Sequence, residues 1–298
     1  MKILIRNPAP DDPADQPFWG DFHFGNALSN CLEALGCEIQ TQYWPNWEPT
    51  ESADALLVLR GLRATDAIEG DFGRKLIWLI SHPDDVSHDE LQNFDTVLCG
   101  SEKHTSELQQ HGFDAHVFLQ CTDDRLFFPA IRQKSKFDNS FVFVGNWRGG
   151  NRSVVGRAIT AQLPLKIWGR VWTRPAHQPF IVDDYFPNTR LGELYRASFC
   201  TLNDHWPDMS RYNYVNNRVF DALACALPVL TDPNPGLEGL NLGGIIAVDP
   251  EDSFDDAIDE LIVNYDSYQE AAYNDSFRIL EEHSFKARAQ ALVDLLTG

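Results

Sequence analysis

Short apolar runs that end in small or polar residues, separated by helical stretches, set the tightest limit on how this chain folds. KILI (2–5), ALLVLRG (55–61), KLIWLIS (75–81), TVLCGS (96–101) and AHVFLQ (115–120) have the length and endings of buried parallel strands. NALSNCLEALG (26–36) reads as a helix after the first of them, with Leu28, Leu32 and Leu35 on one face and Gly36 as its stop. Ser101 is placed to cap a further helix that runs to about Gly112. The rhythm breaks at CTDDRLFFPAIRQKSKFDN (121–139), which is polar and interrupted by Pro129. It restarts at FVFVG (141–145). Strands at LKIWG (165–169), FCTLN (199–203), PVLTD (228–232) and GGIIAVD (243–249) then alternate with helices over 153–162, 191–198 and 217–226. An acidic helix over about 253–265 and a terminal helix over about 284–296 complete the pattern.

Strands that alternate with helices build a parallel sheet covered on both faces. A pattern that restarts after a linker therefore predicts an α/β protein with two Rossmann-like, doubly wound sheets, one over residues 1–128 and one over 136–280. The length of 298 residues suits two domains. Ligands of such sheets bind beyond the carboxyl ends of the strands, so the predicted site is a cleft onto which both sheets open.

Charge narrows the choice of partner. The net charge of −20 repels polyphosphate backbones and anionic lipid, so neither nucleic acid nor a membrane surface is an expected partner. Yet residues 145–218 hold ten Lys and Arg against five Asp and Glu, a local basic patch of the kind a diphosphate needs. No run of about 18 apolar residues could span a bilayer, and MKILIRNPAP, with Arg6 and two prolines, is not read as a signal peptide. The six cysteines form no CxxC pair and are expected as free thiols in a reducing cytoplasm. GxGxxG is absent after the first strand, and GxxxxGK[ST], GxSxG and HExxH are absent throughout. A nicotinamide or flavin dehydrogenase, a P-loop enzyme and a protein-bound metal are therefore not expected.

The residues at the strand ends carry the chemistry. FCTLN runs directly into Asp204 and His205, whose carboxylate and imidazole suit the vicinal hydroxyls of a donor sugar. Asn216 and Asn217 precede a helix that starts near Arg218; one of them serves as N-cap, and the free amides at that end favour an anion. Asp221, one turn in, either complements the helix dipole or grips ribose hydroxyls. In the loop after FVFVG, Gly145, Gly149 and Gly150 permit close backbone approach, and Asn146, Arg148 and Arg152 offer polar contacts to phosphate. Gly169, between Trp168 and Trp172, would wall the base or simply pack the core. In the first half, Asp21 and His23 of WGDFHFG (19–25) and His82 and Asp84 of SHPDD (81–85) are the candidates for a general base on the acceptor side.

LNDHWPDM followed by NNRVFDALACALPVLTD resembles the C-terminal signature of the CgeB-like glycosyltransferases, which are related to the family-4-type enzymes of GT-B fold. IWLISHPDD, VLCGS, LQCTDDRLFFP and FVGNWRGGNR resemble the same group in the same order. The resemblance implies a metal-independent hexosyltransferase of carbohydrate biosynthesis. It would move a sugar from a nucleotide diphosphate sugar to a hydroxyl on a glycan, a lipid-linked or a small-molecule acceptor, with no tightly bound cofactor. It also implies that Asp221 stands where the second Glu of the family-4 Glu-x7-Glu motif binds ribose. The position eight earlier is Asn213, not Glu. Arg152 is similar in placement to the family's phosphate-binding basic residue, and the terminal helix within 284–298 would pack back on the first domain. Two other readings share the architecture. One is a sugar-nucleotide or glycan-binding subunit without catalysis; the other is a sugar-nucleotide epimerase or phosphorylase.

Overall fold

A computed structural model describes residues 1–47, 52–65, 68–130, 137–147 and 152–298. Along the chain it begins β1 (Lys2–Pro10), α1 (Gly20–Ala34), β2 (Glu38–Trp44), β3 (Ala53–Arg60) and β4 (Phe72–Leu79). Next come α2 (His88–Leu91), β5 (Thr96–Cys99), α3 (Glu102–Gln110) and β6 (Ala115–Val117). The second series is β7 (Phe141–Val144), α4 (Ser153–Thr160), β8 (Leu165–Trp168), β9 (Ile181–Asp183), α5 (Leu191–Arg196) and β10 (Cys200–Leu202). Then follow α6 (Pro207–Arg211), α7 (Asn217–Ala224), β11 (Val229–Thr231), α8 (Pro235–Leu240) and β12 (Ile245–Ala247). Three helices end the chain: α9 (Phe254–Val263), α10 (Tyr265–Glu282) and α11 (Phe285–Thr297). The chain forms two compact units, Met1–Cys121 with Asp208–Val215 and His283–Gly298, and Thr122–Pro207 with Asn216–Glu282.

The first unit is a six-stranded parallel sheet in the order β2-β1-β3-β4-β5-β6. Strand order reverses between β1 and β3, which makes their carboxyl ends the crevice where sheets of this type take ligands. Ile3, Ile5, Leu57, Leu59 and Trp78 form one face of the core against Phe24, Leu28 and Leu32 of α1 and Phe285, Ala289 and Leu292 of α11. Aromatic edges lock this layer: Phe24 meets Trp78 at 5.0 Å and Phe285 at 4.7 Å. The last helix is held further by hydrogen bonds from Arg74 to the Leu295 carbonyl (2.7 Å) and from Arg288 to the Leu119 carbonyl (2.8 Å).

Three sequence readings change here. β1 runs on past the predicted KILI stretch to Pro10, and its pairing with β2 shifts register between Asn7 and Pro10. β2 itself was not predicted. It is an edge strand, and EIQTQYW leaves most of its side chains half-buried, so no apolar run marks it. α1 starts at Gly20, six residues before the predicted helix, and takes Asp21 and His23 out of the predicted loop into its first turns.

The second unit has a six-stranded parallel sheet ordered β12-β11-β10-β7-β8-β9. Here the reversal lies between β7 and β10. Phe143, Ile167, Leu202 and Leu230 of the sheet pack with Val155 and Ile159 of α4 and Leu261 of α9. The 18 residues of α10 were not predicted as helix; their polar sequence, YDSYQEAAYNDSFRILEE, shows little apolar periodicity. No helix among the described residues is long and apolar enough to cross a membrane.

Candidate active site

The reversal between β7 and β10 gathers most of the predicted donor-side residues. Arg152, just before α4, is buried and donates to Asp204 Oδ1 at 2.6 Å and to the Asn146 carbonyl at 2.8 Å. Arg218, in the first turn of α7, donates to Asn203 Oδ1 and to the Val144 carbonyl, both at 2.9 Å. Both guanidinium groups lie 4.7 Å from the centre of the Phe143 ring. Burial pulls the Arg152 pKa down to about 10, with the Asp204 carboxylate opposing and Arg218 adding to the fall. The group thus stays cationic at neutral pH. Arg152, predicted to grip phosphate, here spends its hydrogen bonds on Asp204 and a carbonyl.

His205 is fixed from two sides by Asp232. Its backbone N–H donates to both carboxylate oxygens, and its Nδ1 lies 2.7 Å from Asp232 Oδ1. Burial alone would raise the Asp232 carboxyl; the hydrogen bonds and charge of His205 more than offset it and hold it below its ordinary value. An ionised Asp232 makes Nδ1 the donor, which leaves Nε2 as the uncommitted ring nitrogen. His205 Nε2, Asp204 Oδ2 and Asn216 Oδ1 are buried without a hydrogen-bond partner among the described residues. Buried polar atoms are nearly always satisfied, so three orphans on neighbouring residues stand out as atoms in want of a polar partner.

The ends of α7 depart in detail from the prediction. Asn216 occupies the N-cap, but its side chain makes no cap bond and donates instead to the Asp204 carbonyl at 3.3 Å. Asn217 is exposed and donates to Asp221 Oδ2 at 3.1 Å, while Thr122 Oγ1 donates to Asp221 Oδ1 at 2.7 Å. Burial raises the Asp221 carboxyl to about 7 despite these bonds. Asn213 has a φ of +62°, a backbone conformation that Asn tolerates far better than Glu.

Two glycines predicted at the ligand have a packing reason. A Cβ on Gly169 would stand 2.1 Å from the Gly145 carbonyl oxygen, so the two chain segments cross only because that side chain is missing. That same carbonyl accepts from Trp172 Nε1 at 2.9 Å. Asn146 caps the turn, its Oδ1 accepting from the Arg170 N–H at 2.8 Å. Arg148, Gly149 and Gly150 lie outside the described residues.

In the first unit, Asp21 stands in the first turn of α1, beside the β1/β3 reversal, with Gly61 so close that a Cβ there would lie 3.3 Å from Asp21 Oδ2. Burial raises its carboxyl to about 6. A carboxylate in a first helical turn gains about 0.3–1 kcal/mol from the helix dipole, whereas this rise corresponds to roughly 3 kcal/mol. Burial wins. His23 Nε2 is engaged by the Pro17 carbonyl at 2.9 Å, and burial lowers its pKa. His82 follows β4 with a φ of +54° and contacts Ser81 Oγ through Nδ1 at 2.9 Å. Asp84 is drawn into an exposed ion pair with Arg211 at 2.5 Å.

Asp232, Asn203 and Thr122 joined this constellation without being singled out in the sequence. For Asp232 the signal was present, since it closes PVLTD at a strand's carboxyl end. Thr122 carries no such mark; only its 99-residue separation from Asp221, closed by folding, brings it in. Among the described residues no group of three or more His, Cys, Asp and Glu is arranged to hold a metal ion.

Residues 152–294 match the family model described as glycosyl transferase-like. Among solved structures, a sucrose-phosphate synthase from Thermosynechococcus elongatus superposes with a TM-score of 0.68 at 13% identity, over 99% of this chain and 98% of that one. A glycosyltransferase involved in avilamycin A biosynthesis gives 0.68 at 16% identity, over 99% and 97%. HepE of Anabaena, in complex with UDP and glucose, gives 0.65 at 13% identity, over 100% of both chains. No curated protein matches the sequence. Two parallel six-stranded sheets, matched over nearly the whole chain, give it the GT-B-like fold of these structures, and residues 152–294 are similar to the glycosyl transferase-like family.

Proposed function

We propose that the chain transfers a sugar, of hexosyl type, from a nucleotide diphosphate sugar to a hydroxyl acceptor, with the donor held by the second unit. The observation that carries this reading is the trio of orphaned buried atoms, Asp204 Oδ2, His205 Nε2 and Asn216 Oδ1, at the β7/β10 reversal. In that crevice the sugar hydroxyls would meet two acceptors whose directions are already fixed by Arg152 and Asp232. The solved relatives add weight, since HepE of Anabaena was seen with UDP-glucose and a phage glucosyltransferase with the same substrate. The LNDHWPDM and NNRVFDALACALPVLTD segments favour a place near the CgeB-like group, and six free thiols suit a cytoplasmic setting.

In this reading the acceptor oxygen attacks the anomeric carbon of the donor. The bond from that carbon to the diphosphate oxygen breaks, and its electron pair leaves with the nucleoside diphosphate. The chain itself supplies the positive field for that leaving group. Arg152, buried, and Arg218, half-buried in the first turn of α7, are already held in place, so little reorganisation is needed as charge develops. Arg152 works through Asp204, which it aims, and Asp221 receives the ribose. The acceptor's proton passes to Asp21, whose raised pKa of about 6 suits a base near neutral pH.

A thermal-shift panel of UDP-, GDP-, TDP- and CMP-sugars tests the donor assignment, because stabilisation grows with ligand concentration over its dissociation constant. One nucleotide class should raise the melting temperature, less so with His205→Ala, and should release nucleoside diphosphate when acceptor is added. Stabilisation without release would favour a non-catalytic binding subunit. No stabilisation by any of the four would overturn the reading.

A further inference from the structure

Arg63 is the odd guanidinium of this molecule. Half-buried or buried arginines elsewhere hold carboxylates or carbonyls: Arg60 holds Glu90, Arg152 holds Asp204, and Arg288 holds the Leu119 carbonyl. Arg63 has no such partner among the described residues, and its Nε is buried and unsatisfied. What it has instead is aromatic support. Its guanidinium carbon sits 4.0 Å from the centre of the Trp44 ring and 6.0 Å from that of Trp19. Stacking of this kind holds the plane of the group while leaving its edge donors unused.

The position is built rather than incidental. Glu90 clamps the loop that carries Arg63 at both ends, accepting from Arg60 Nε at 2.7 Å and from the Thr65 N–H at 2.9 Å. Arg60 adds a bond to the Asp85 carbonyl at 2.6 Å. The clamp is buried, so the loop between Arg60 and Thr65 is anchored and Arg63 stands on its span. Trp44 ends β2, Trp19 precedes α1, and Arg63 follows β3; these are the carboxyl ends that flank the β1/β3 reversal. Gly61, two residues before Arg63, packs against the Asp21 carboxylate.

We infer that Trp19, Trp44 and Arg63 form an anion subsite of the acceptor, so that the acceptor is a hydroxyl compound carrying a carboxylate or phosphate group. This deepens the proposed transfer and rests on the first unit carrying the acceptor. The physical basis is the missing counter-charge. A guanidinium without a carboxylate or carbonyl partner among the described residues, in a chain of net charge −20, is a donor set that a bidentate carboxylate or phosphate completes.

The test is calorimetric binding of three probes, glucose, glucuronic acid and glucose 6-phosphate, to the full chain and to Arg63→Met. The two anions should bind the wild type about tenfold or more tighter than glucose, the scale of one charge-assisted contact. Arg63→Met should bring all three to within about twofold of one another. The tighter of the two anions identifies whether carboxylate or phosphate is the group taken. Equal binding of all three to the wild type would overturn the subsite, as would an anion preference that survives in Arg63→Met. Nucleotide-sugar thermal shifts, recorded on both proteins, keep the two claims apart. Anion discrimination lost with donor shifts kept supports the subsite, whereas absent donor shifts in the wild type count against the transfer reading alone.

Discussion

The two strand-order reversals of this molecule hold arginines in opposite states. At the β7/β10 reversal, Arg152 and Arg218 are tied to side-chain and carbonyl oxygens, and the unsatisfied atoms are acceptors or an imidazole nitrogen. At the β1/β3 reversal, the arginine that follows the strand is stacked on tryptophan and the unsatisfied atom is a donor. In one crevice the buried arginine is answered by a carboxylate; in the other, among the described residues, the arginine has aromatic rings and no carboxylate. The same topological position on two similar sheets thus differs in how its arginine is held: Arg152 by a carboxylate, Arg63 by tryptophan rings.

The largest effect should come from breaking the balanced side. Asp204→Ala would leave the Arg152 charge buried and unpaired, which costs about 3–5 kcal/mol of stability. Urea unfolding measures it, and pairing the change with Arg152→Met should recover much of the loss. A cost below about 1 kcal/mol would mean that the pair is solvated and the contrast between the crevices is not real.

A smaller effect separates pH values. Asp221 is raised from 3.8 to about 7 in the folded chain. The folded state thus keeps a proton that the unfolded chain releases, and stability falls as pH climbs from about 4 to about 7. Asp21, raised to about 6, acts with the same sign over a narrower window. Asp221→Asn should remove its share, so that its stability relative to the wild type improves by roughly 4 kcal/mol between pH 4 and pH 8. Denaturant midpoints for both proteins at those two pH values check the sign. Parallel shifts would show that the carboxyl is ordinary.

The smallest effect belongs to the open side. Among the described residues Arg63→Met gives up no hydrogen bond and only the stacking on Trp44 and Trp19, so stability should change by no more than about 1 kcal/mol. A loss as large as that of Asp204→Ala would reveal a hidden partner and remove the contrast.

Much of this could be read directly. Apolar runs such as ALLVLRG and FVFVG announced buried parallel strands, and Asp204 and His205, which follow such a strand, lie at the β7/β10 reversal. The edge strand β2 and the helix α10 were not legible, because neither buries enough of its surface to leave an apolar period. Gly169 was legible as special, with walling a base and packing the core both open; the structure adds its close approach to the Gly145 carbonyl. Arg152 was legible as cationic and important, but not as the holder of Asp204.

Sequence alone determined the alternation of strand and helix, and with it the two sheets and the chain positions where chemistry would sit. Those properties depend on local periodicity and on where apolar runs stop. Only the tertiary structure decided which charge is answered and which is not. Arg152 meets Asp204 across 52 residues, and Glu90 reaches Arg60 across 30, so the partner of each arginine is set by the strand order of the sheet and not by its neighbours in the chain.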